Sequence, residues 1–200
     1  MKIDQQLIVE EALKLLDEHG LDRLTTRALA ERLGVKQPAL YWHFKDRRAL
    51  LDAMNDAMEA KVNAAPPPLP GTPWQDYVFQ LGQSFRSALK AYRDGARIHA
   101  GTRANRTQLD KHMRVLVESG LPVPLSIQLL VSVGRLVVGW VLEEQAGQSA
   151  PSGPQPAQET LAEQTIRTFF DMGDDAAFEA GLRFLIDGAQ AAWRQSAARL

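Results

Sequence analysis

Apolar residues along the chain fall into helical stripes, and the stripes break at glycine, proline and capping side chains. Ile8, Val9, Ala12, Leu13 and Leu16 share one face of a first helix that Asp4 can cap and Gly20 ends. Thr25 is the N-cap of a second helix over residues 26–33, with Ala28, Leu29 and Leu33 facing in and Arg27 facing out near its start. Gly34 stands where a left-handed residue closes a helix. Pro38 stands where a missing N–H costs nothing, so residues 38–44 are predicted as a third helix of about two turns. Leu40 and Phe44 then bury together, leaving Gln37, Ala39, Tyr41, Trp42 and His43 outside. Asp46 caps a fourth helix over residues 47–63, carrying Leu50, Leu51, Met54, Ala57, Met58 and Val62 in register.

Residues 64–73 hold five prolines and a glycine, which no helix can continue through. Beyond this loop, Trp74, Tyr77, Val78, Leu81, Phe85, Ala88, Leu89 and Tyr92 give a long amphipathic helix stopped by Asp94-Gly95. A short segment over 96–100 precedes Gly101, and Leu109, Met113, Leu116 and Val117 mark a further helix closed by Gly120 and the Pro122/Pro124 pair. An apolar helix over 125–145, a loop rich in Pro, Gly, Ser and Gln over 147–157, and helices over 158–172 and 175–197 complete the chain. Period-two alternation and hairpin dipeptides are lacking, so the fold class is all-α, with about ten helices. The 125–145 helix and the last helix carry more apolar surface than a small core requires. Either they fill the monomer core alone, or they also meet a second subunit in a four-helix bundle across a two-fold axis.

Composition sharpens this picture at four points. At 200 residues and 45% hydrophobic content the chain can bury a substantial core. The membrane-like run over 125–142 contains Arg135, which at mid-bilayer costs about 2.5–3.5 kcal/mol, and is therefore read as a buried helix of a soluble fold. Without cysteine, disulfides, thiolate metal sites and thiol nucleophiles are excluded. The opening Met-Lys-Ile-Asp-Gln-Gln has no apolar signal region, so the expected location is the cytoplasm, with no membrane partner.

A net charge of -1 argues against nucleic acid until its distribution is read. Residues 23–48 hold seven Lys or Arg against two acids, whereas residues 49–200 hold 14 against 16. The basic surplus coincides with two helices separated by a Gly-containing turn, the second short and outwardly aromatic. Such a helix builds a core poorly and enters a major groove well. Arg27 suits a guanine edge, Gln37 an adenine edge, and Ala39 with Pro38 a thymine methyl; Thr26, Tyr41, His43 and Arg47 suit phosphates. The competing reading makes Tyr41 and Trp42 core aromatics and the bases a solvated face. The fixed spacing of Thr25-Thr26-Arg27, Gln37-Pro38 and Leu40-Tyr41-Trp42-His43 favours DNA.

Those same residues carry a resemblance. Leu24-Thr25-Thr26-Arg27-Ala28-Leu29-Ala30-Glu31-Arg32-Leu33-Gly34-Val35, then Gln37 to Lys45, then Arg48-Ala49-Leu50-Leu51-Asp52-Ala53, resemble the N-terminal domain of the TetR family of repressors. Ser84-Phe85-Arg86, Tyr92-Arg93-Asp94-Gly95-Ala96, His99, Gly101-Thr102-Arg103 and Leu142-Glu143 with Gln145 extend it to the family's tetracycline-responsive members. The resemblance implies a three-helix helix-turn-helix DNA-binding domain over residues 1–46 and a helical ligand-binding and dimerisation domain over 47–200. It implies a homodimer that holds a palindromic double-stranded DNA operator until a small-molecule inducer binds, or, as the alternative, a ligand-responsive activator. It places Thr26, Arg27, Gln37, Pro38, Ala39, Tyr41, Trp42, His43 and Arg47 at DNA. It also implies that His99, Thr102 and Glu143 surround a magnesium ion (Mg2+) chelated by the inducer, with His99 as direct ligand, no cofactor being otherwise required. On the residues alone, one His and one distant Glu equally describe a pocket histidine hydrogen-bonded to a neighbour.

This chain departs from the family pattern at several positions. Ala39 stands where a Thr is common and Lys36 where an acid is, so the operator sequence does not carry over. Asn63 and Leu81 stand where tetracycline-responsive members use a His and an Asn, which predicts a more apolar pocket. Its candidate lining is Asn63, Leu81, Phe85, His99, Thr102, Arg103, Met113, Leu116, Val133 and Val137. The resemblance also implies that the segment 99–103 around Gly101 transmits binding to the fourth helix. A helical enzyme is the rival class: Gly82-Gln83-Ser84-Phe85-Arg86 lacks the last glycine of a nucleophile elbow, and the four histidines are scattered. A purely structural dimerisation protein leaves the 37–48 surface without a role.

Overall fold

A computed structural model describes residues 3–66, 68–69, 71–103, 105–147 and 160–197. Eleven helical segments and no strand occur among the described residues. The first three are α1 (Gln5–His19), α2 (Thr26–Leu33) and α3 (Pro38–Tyr41). The expected caps are in place: the Asp4 carboxylate accepts from Leu7 N at 2.9 Å, and the Thr25 hydroxyl from Ala28 N at 3.1 Å. Gly34 closes α2 in the left-handed region at φ 67°. Helix α3 is shorter than the predicted 38–44, because after Tyr41 the chain tightens into a turn in which His43 N donates to Leu40 O at 3.0 Å.

The predicted helix over 47–63 is two helices, α4 (Arg47–Met58) and α5 (Ala60–Asn63), interrupted at Glu59 where φ is -86° and ψ -1°. Asp46 caps α4 as expected, accepting from Ala49 N at 2.7 Å. There follow α6 (Trp74–Lys90), α7 (Gly95–Gly101), α8 (Arg106–Glu118), α9 (Val123–Gln145), α10 (Leu161–Met172) and α11 (Asp174–Ala197). The predicted loop over 147–157 lies almost wholly outside the described residues, as does the start of the helix predicted from 158.

Two apolar cores result. The first joins α1 to α4 through Ile8, Leu16, Leu29, Leu40, Phe44 and Met54, and takes in Ile98 from α7. The second surrounds α9, whose Leu129, Val133, Val137 and Val141 meet α6, α8 and α11. By length and composition alone α9 could cross a membrane, but it is the central helix of this packed unit, and Arg135 lies on its exposed side. Gly82 lets α6 approach α11: a Cβ there would lie 2.7 Å from a Leu182 methyl. Arg86, 6% exposed, lies over the Phe178 ring and pairs with Glu144 of α9 and, at 2.7 Å, with Asp175 of α11.

The two units meet along α7 through polar contacts that favour main-chain groups. Asp94, the non-glycine residue with positive φ (57°) among those described, accepts from Leu21 N at 2.8 Å and from Arg97 at 3.1 Å. Arg93 N donates to Asp17 at 2.9 Å, and Arg103 N to Asp52 at 3.1 Å. Arg97 also pairs with Asp22 at 2.8 Å. Three backbone N–H groups that folding would leave unpaired are thereby satisfied by three aspartates.

Candidate functional site

The N-terminal unit presents a surface built on two buried anchors. Leu40 and Phe44 sink into the first core, as the four-residue spacing predicts, and fix the turn that carries their neighbours outward. Trp42 is 89% exposed and Tyr41 50% exposed, which excludes the reading that makes them core aromatics. Gln37 and Pro38 are exposed beside them, while Ala39 and His43 are half-buried. The His43 carbonyl accepts from Gln5 Nε2 at 2.8 Å, tying the turn to α1.

Gln37 Nε2 donates to the Thr26 hydroxyl at 2.7 Å, so two expected contact residues are hydrogen-bonded across the helix pair. Arg27 pairs with Glu31 at 2.9 Å, one turn on, with both side chains largely in solvent. Arg32 points elsewhere: it bonds Glu11 and Glu18 at 2.7 Å and locks α1 to α2; Lys14 followed by Arg32 holds the Glu11 carboxyl below the usual range, and Arg32 does the same for Glu18. Arg23, Lys36, Lys45, Arg47 and Arg48 are exposed and form no ion pair among the described residues, so much of the basic surplus of this unit remains available. Uncompensated cations beside an exposed aromatic and amide face suit a phosphate backbone.

In the C-terminal unit the structure distributes the expected ligand residues over three environments. Leu81 lines a cavity of about 750 Å³ bounded by α4, α5, α6, α8 and the loop before α6. Leu116, Val133 and Val137 lie in the second core and Met113 is half-buried on α8, none of the four on that cavity's wall. His99, Thr102, Arg103 and Phe85 gather at the α4–α7 seam. The His99 ring stands edge-on to Phe85 at 4.9 Å, and the Thr102 hydroxyl donates to the His99 carbonyl at 2.8 Å. Asn63 offers its carbonyl to Lys111 Nζ at 2.9 Å.

Sequence reasoning missed the polar residues that organise both places. Tyr77 and His112 face each other across the cavity wall at 2.6 Å. Burial raises the Tyr77 hydroxyl to about 12, and burial followed by the Lys111 charge lowers His112. A phenol so protonated donates to a neutral imidazole. At the seam, His99 Nδ1 lies 2.7 Å from Glu59 and 3.1 Å from Asn55, which is only 5% exposed. The signal for Asn55 was present in the sequence, as an amide inside the apolar stripe of α4; Glu59 carried none.

The magnesium expected at His99 and Glu143 fits the chain only in part. Glu143 is exposed near the end of α9, and among the described residues no three metal-type side chains converge. His99 with a carboxylate behind it is a sound single ligand, but magnesium prefers oxygen and would need the rest from its chelating partner.

Residues 8–54 match the profile of bacterial regulatory proteins of the tetR family, and residues 67–193 that of the tetracyclin repressor-like C-terminal domain. The chain is 45% identical over 195 residues to the tetracycline repressor protein class A from transposon 1721 of Escherichia coli, covering 94% of this chain and 90% of that one. The crystal structure of TetR from Acinetobacter baumannii AYE is similar at 42% identity and a TM-score of 0.78, over 96% of this chain and 98% of that one. A class A TetR in complex with 5a,6-anhydrotetracycline and magnesium is similar at 41% identity and a TM-score of 0.73, over 94% and 99% of the two chains.

Proposed function

The chain belongs to the tetR family of bacterial regulatory proteins, and from that premise we propose that it is a homodimeric repressor whose head, residues 1–46, holds a palindromic operator until a small molecule binds in the helical domain over 47–200. The observation that carries the reading is the contrast within one short turn: Leu40 and Phe44 are buried, while Trp42, 89% exposed, and Tyr41 stand in solvent beside Gln37 and unpaired bases. A protein without a partner at that face gains nothing from it.

Within the head, Arg27 exchanges Glu31 for a guanine edge, Gln37 reads adenine, and Pro38 with Ala39 meets a thymine methyl. Thr26, Tyr41, Trp42, His43 and Arg47 set register on the backbone. The inducer occupies the ground between the 750 Å³ cavity and the His99 seam, where Leu81 and the neighbouring alanines favour an apolar, aromatic compound. Shifting the operator equilibrium from mostly bound to mostly free takes about 5.5 kcal/mol of differential affinity, more than one hydrogen bond supplies, so the inducer fills its site. The regulated gene is accordingly one for efflux or for modification of such a compound.

The test is operator binding measured across base substitutions and salt concentrations. Arg27→Ala is expected to cost about 1–3 kcal/mol and to relax one base position. Arg47→Ala is expected to weaken all sequences alike and to flatten the salt slope by about one. Equal loss of specificity from both would overturn the assigned roles, and no binding to any duplex would overturn the reading.

A further inference from the structure

The seam histidine is held by more than the ligand set implied by resemblance. His99 Nδ1 faces two oxygens, Glu59 Oε1 at 2.7 Å and Asn55 Oδ1 at 3.1 Å. A carboxylate at neutral pH offers only lone pairs, so the hydrogen in this contact belongs to Nδ1. A neutral imidazole with its proton on Nδ1 carries a bare lone pair on Nε2. Nε2 finds no partner among the described residues. The backbone is fixed as well, since Thr102 donates to the His99 carbonyl both from its hydroxyl at 2.8 Å and from its N–H at 3.1 Å.

We infer that Glu59, seconded by Asn55, is a positioning residue that sets His99 in the tautomer whose Nε2 is an electron-pair donor for the inducer. The inference rests on the reading of this domain as the inducer-binding one. It deepens that reading by naming what the inducer must present to His99, an electron-pair acceptor, either an N–H or O–H of its own or a divalent ion that it chelates. With the proton on Nε2 instead, the same ring would pair with a carbonyl and turn a metal away. Carboxylates that hold the far nitrogen of a ligating histidine do so by fixing its tautomer and orientation. Glu59 sits where α4 gives way to α5, so the group that orients His99 also lies at the break in the helix leading out of the head.

The test is nitrogen NMR on the full chain labelled in histidine, at mildly alkaline pH, with the His99 signals identified by their loss in His99→Gln. The expected wild-type pattern is a protonated Nδ1 and a bare Nε2. Glu59→Gln keeps an acceptor and is expected to keep that pattern; Glu59→Leu is expected to move more than half of the population to the Nε2–H form. A bare Nδ1 in the wild type overturns the inference without any variant, and an unchanged pattern in Glu59→Leu overturns the role of Glu59. Adding Mn2+ together with tetracycline separates the two sources of the acceptor: broadening at Nε2 assigns it to a chelated ion, and a sharp, shifted Nε2 to an N–H or O–H. Because the tautomer is read without DNA, a protein that ignored every operator would sink the regulatory reading and leave this measurement intact.

Discussion

His112 illustrates how one residue's surroundings set a property of the whole chain. Burial lowers its pKa first, the Lys111 charge lowers it further, and the Glu59 charge offsets part of this. In the unfolded chain the imidazole takes up a proton near its ordinary value of about 6.5, whereas in the folded chain it resists until lower pH. The unfolded state therefore binds more protons in the window just below 6.5, and stability falls as pH falls through it. Urea midpoints measured from neutral pH to about pH 5 are expected to decline, and in His112→Phe the part of that decline due to this residue is expected to vanish. An unchanged slope in the variant would show that other groups carry it. The main cause was not legible from the sequence, where His112 is one of four scattered histidines; its burial arises only when the chain folds and brings Tyr77, 35 residues away, to within 2.6 Å.

Helices were the most legible level, and the exceptions have physical causes. Asp4, Thr25, Gly34 and Asp46 cap or close the elements they were expected to, because capping is decided within a few residues. The break at Glu59 was not readable, since the apolar register from Leu50 to Val62 continues through it. The exposure of Tyr41 and Trp42 was legible because the outward side of their turn is polar and aromatic where a core would be apolar. Leu116, Val133 and Val137 lie in the second core and not on the wall of the 750 Å³ cavity; periodicity identifies an apolar face without naming its neighbour. The wall of that cavity includes Gln80, Gln83, Ser84 and Ser87, which carry no apolar signature. At this scale Arg86 makes the strongest claim. It fastens α6 to α9 and α11, and its loss would leave the Glu144 carboxylate almost buried with only Lys90, 3.1 Å away, as partner. Arg86→Met is expected to lower unfolding free energy by about 3 kcal/mol in urea, the lower end for a broken buried pair because Lys90 remains. A loss under about 1 kcal/mol would mean that the methionine packs on Phe178 well enough to replace it.

At the scale of the whole molecule, the apolar surface left uncovered in one chain points to a second. Phe184 on α11 is 75% exposed, Val131 on α9 is exposed, and α10 turns Leu161, Ile166, Phe169 and Met172 to solvent. Two-fold pairing through α9 and α11 would bury the first pair in a four-helix bundle. Sedimentation at micromolar concentration is expected to give a dimer for the wild type and a monomer for Phe184→Glu, and a wild-type monomer would remove the palindrome from the operator. The seam along α7 bears on a different matter, the interchangeability of parts. Asp94, Asp17 and Asp52 accept from the N–H groups of Leu21, Arg93 and Arg103, so three of the docking points beside the buried Ile98 are main chain, which every sequence shares. A head from another family member, grafted on with those aspartates and the Asp22 partner of Arg97 retained, would find the same docking points. New operator preferences can thus be exchanged by recombination without rebuilding the sensor beneath them.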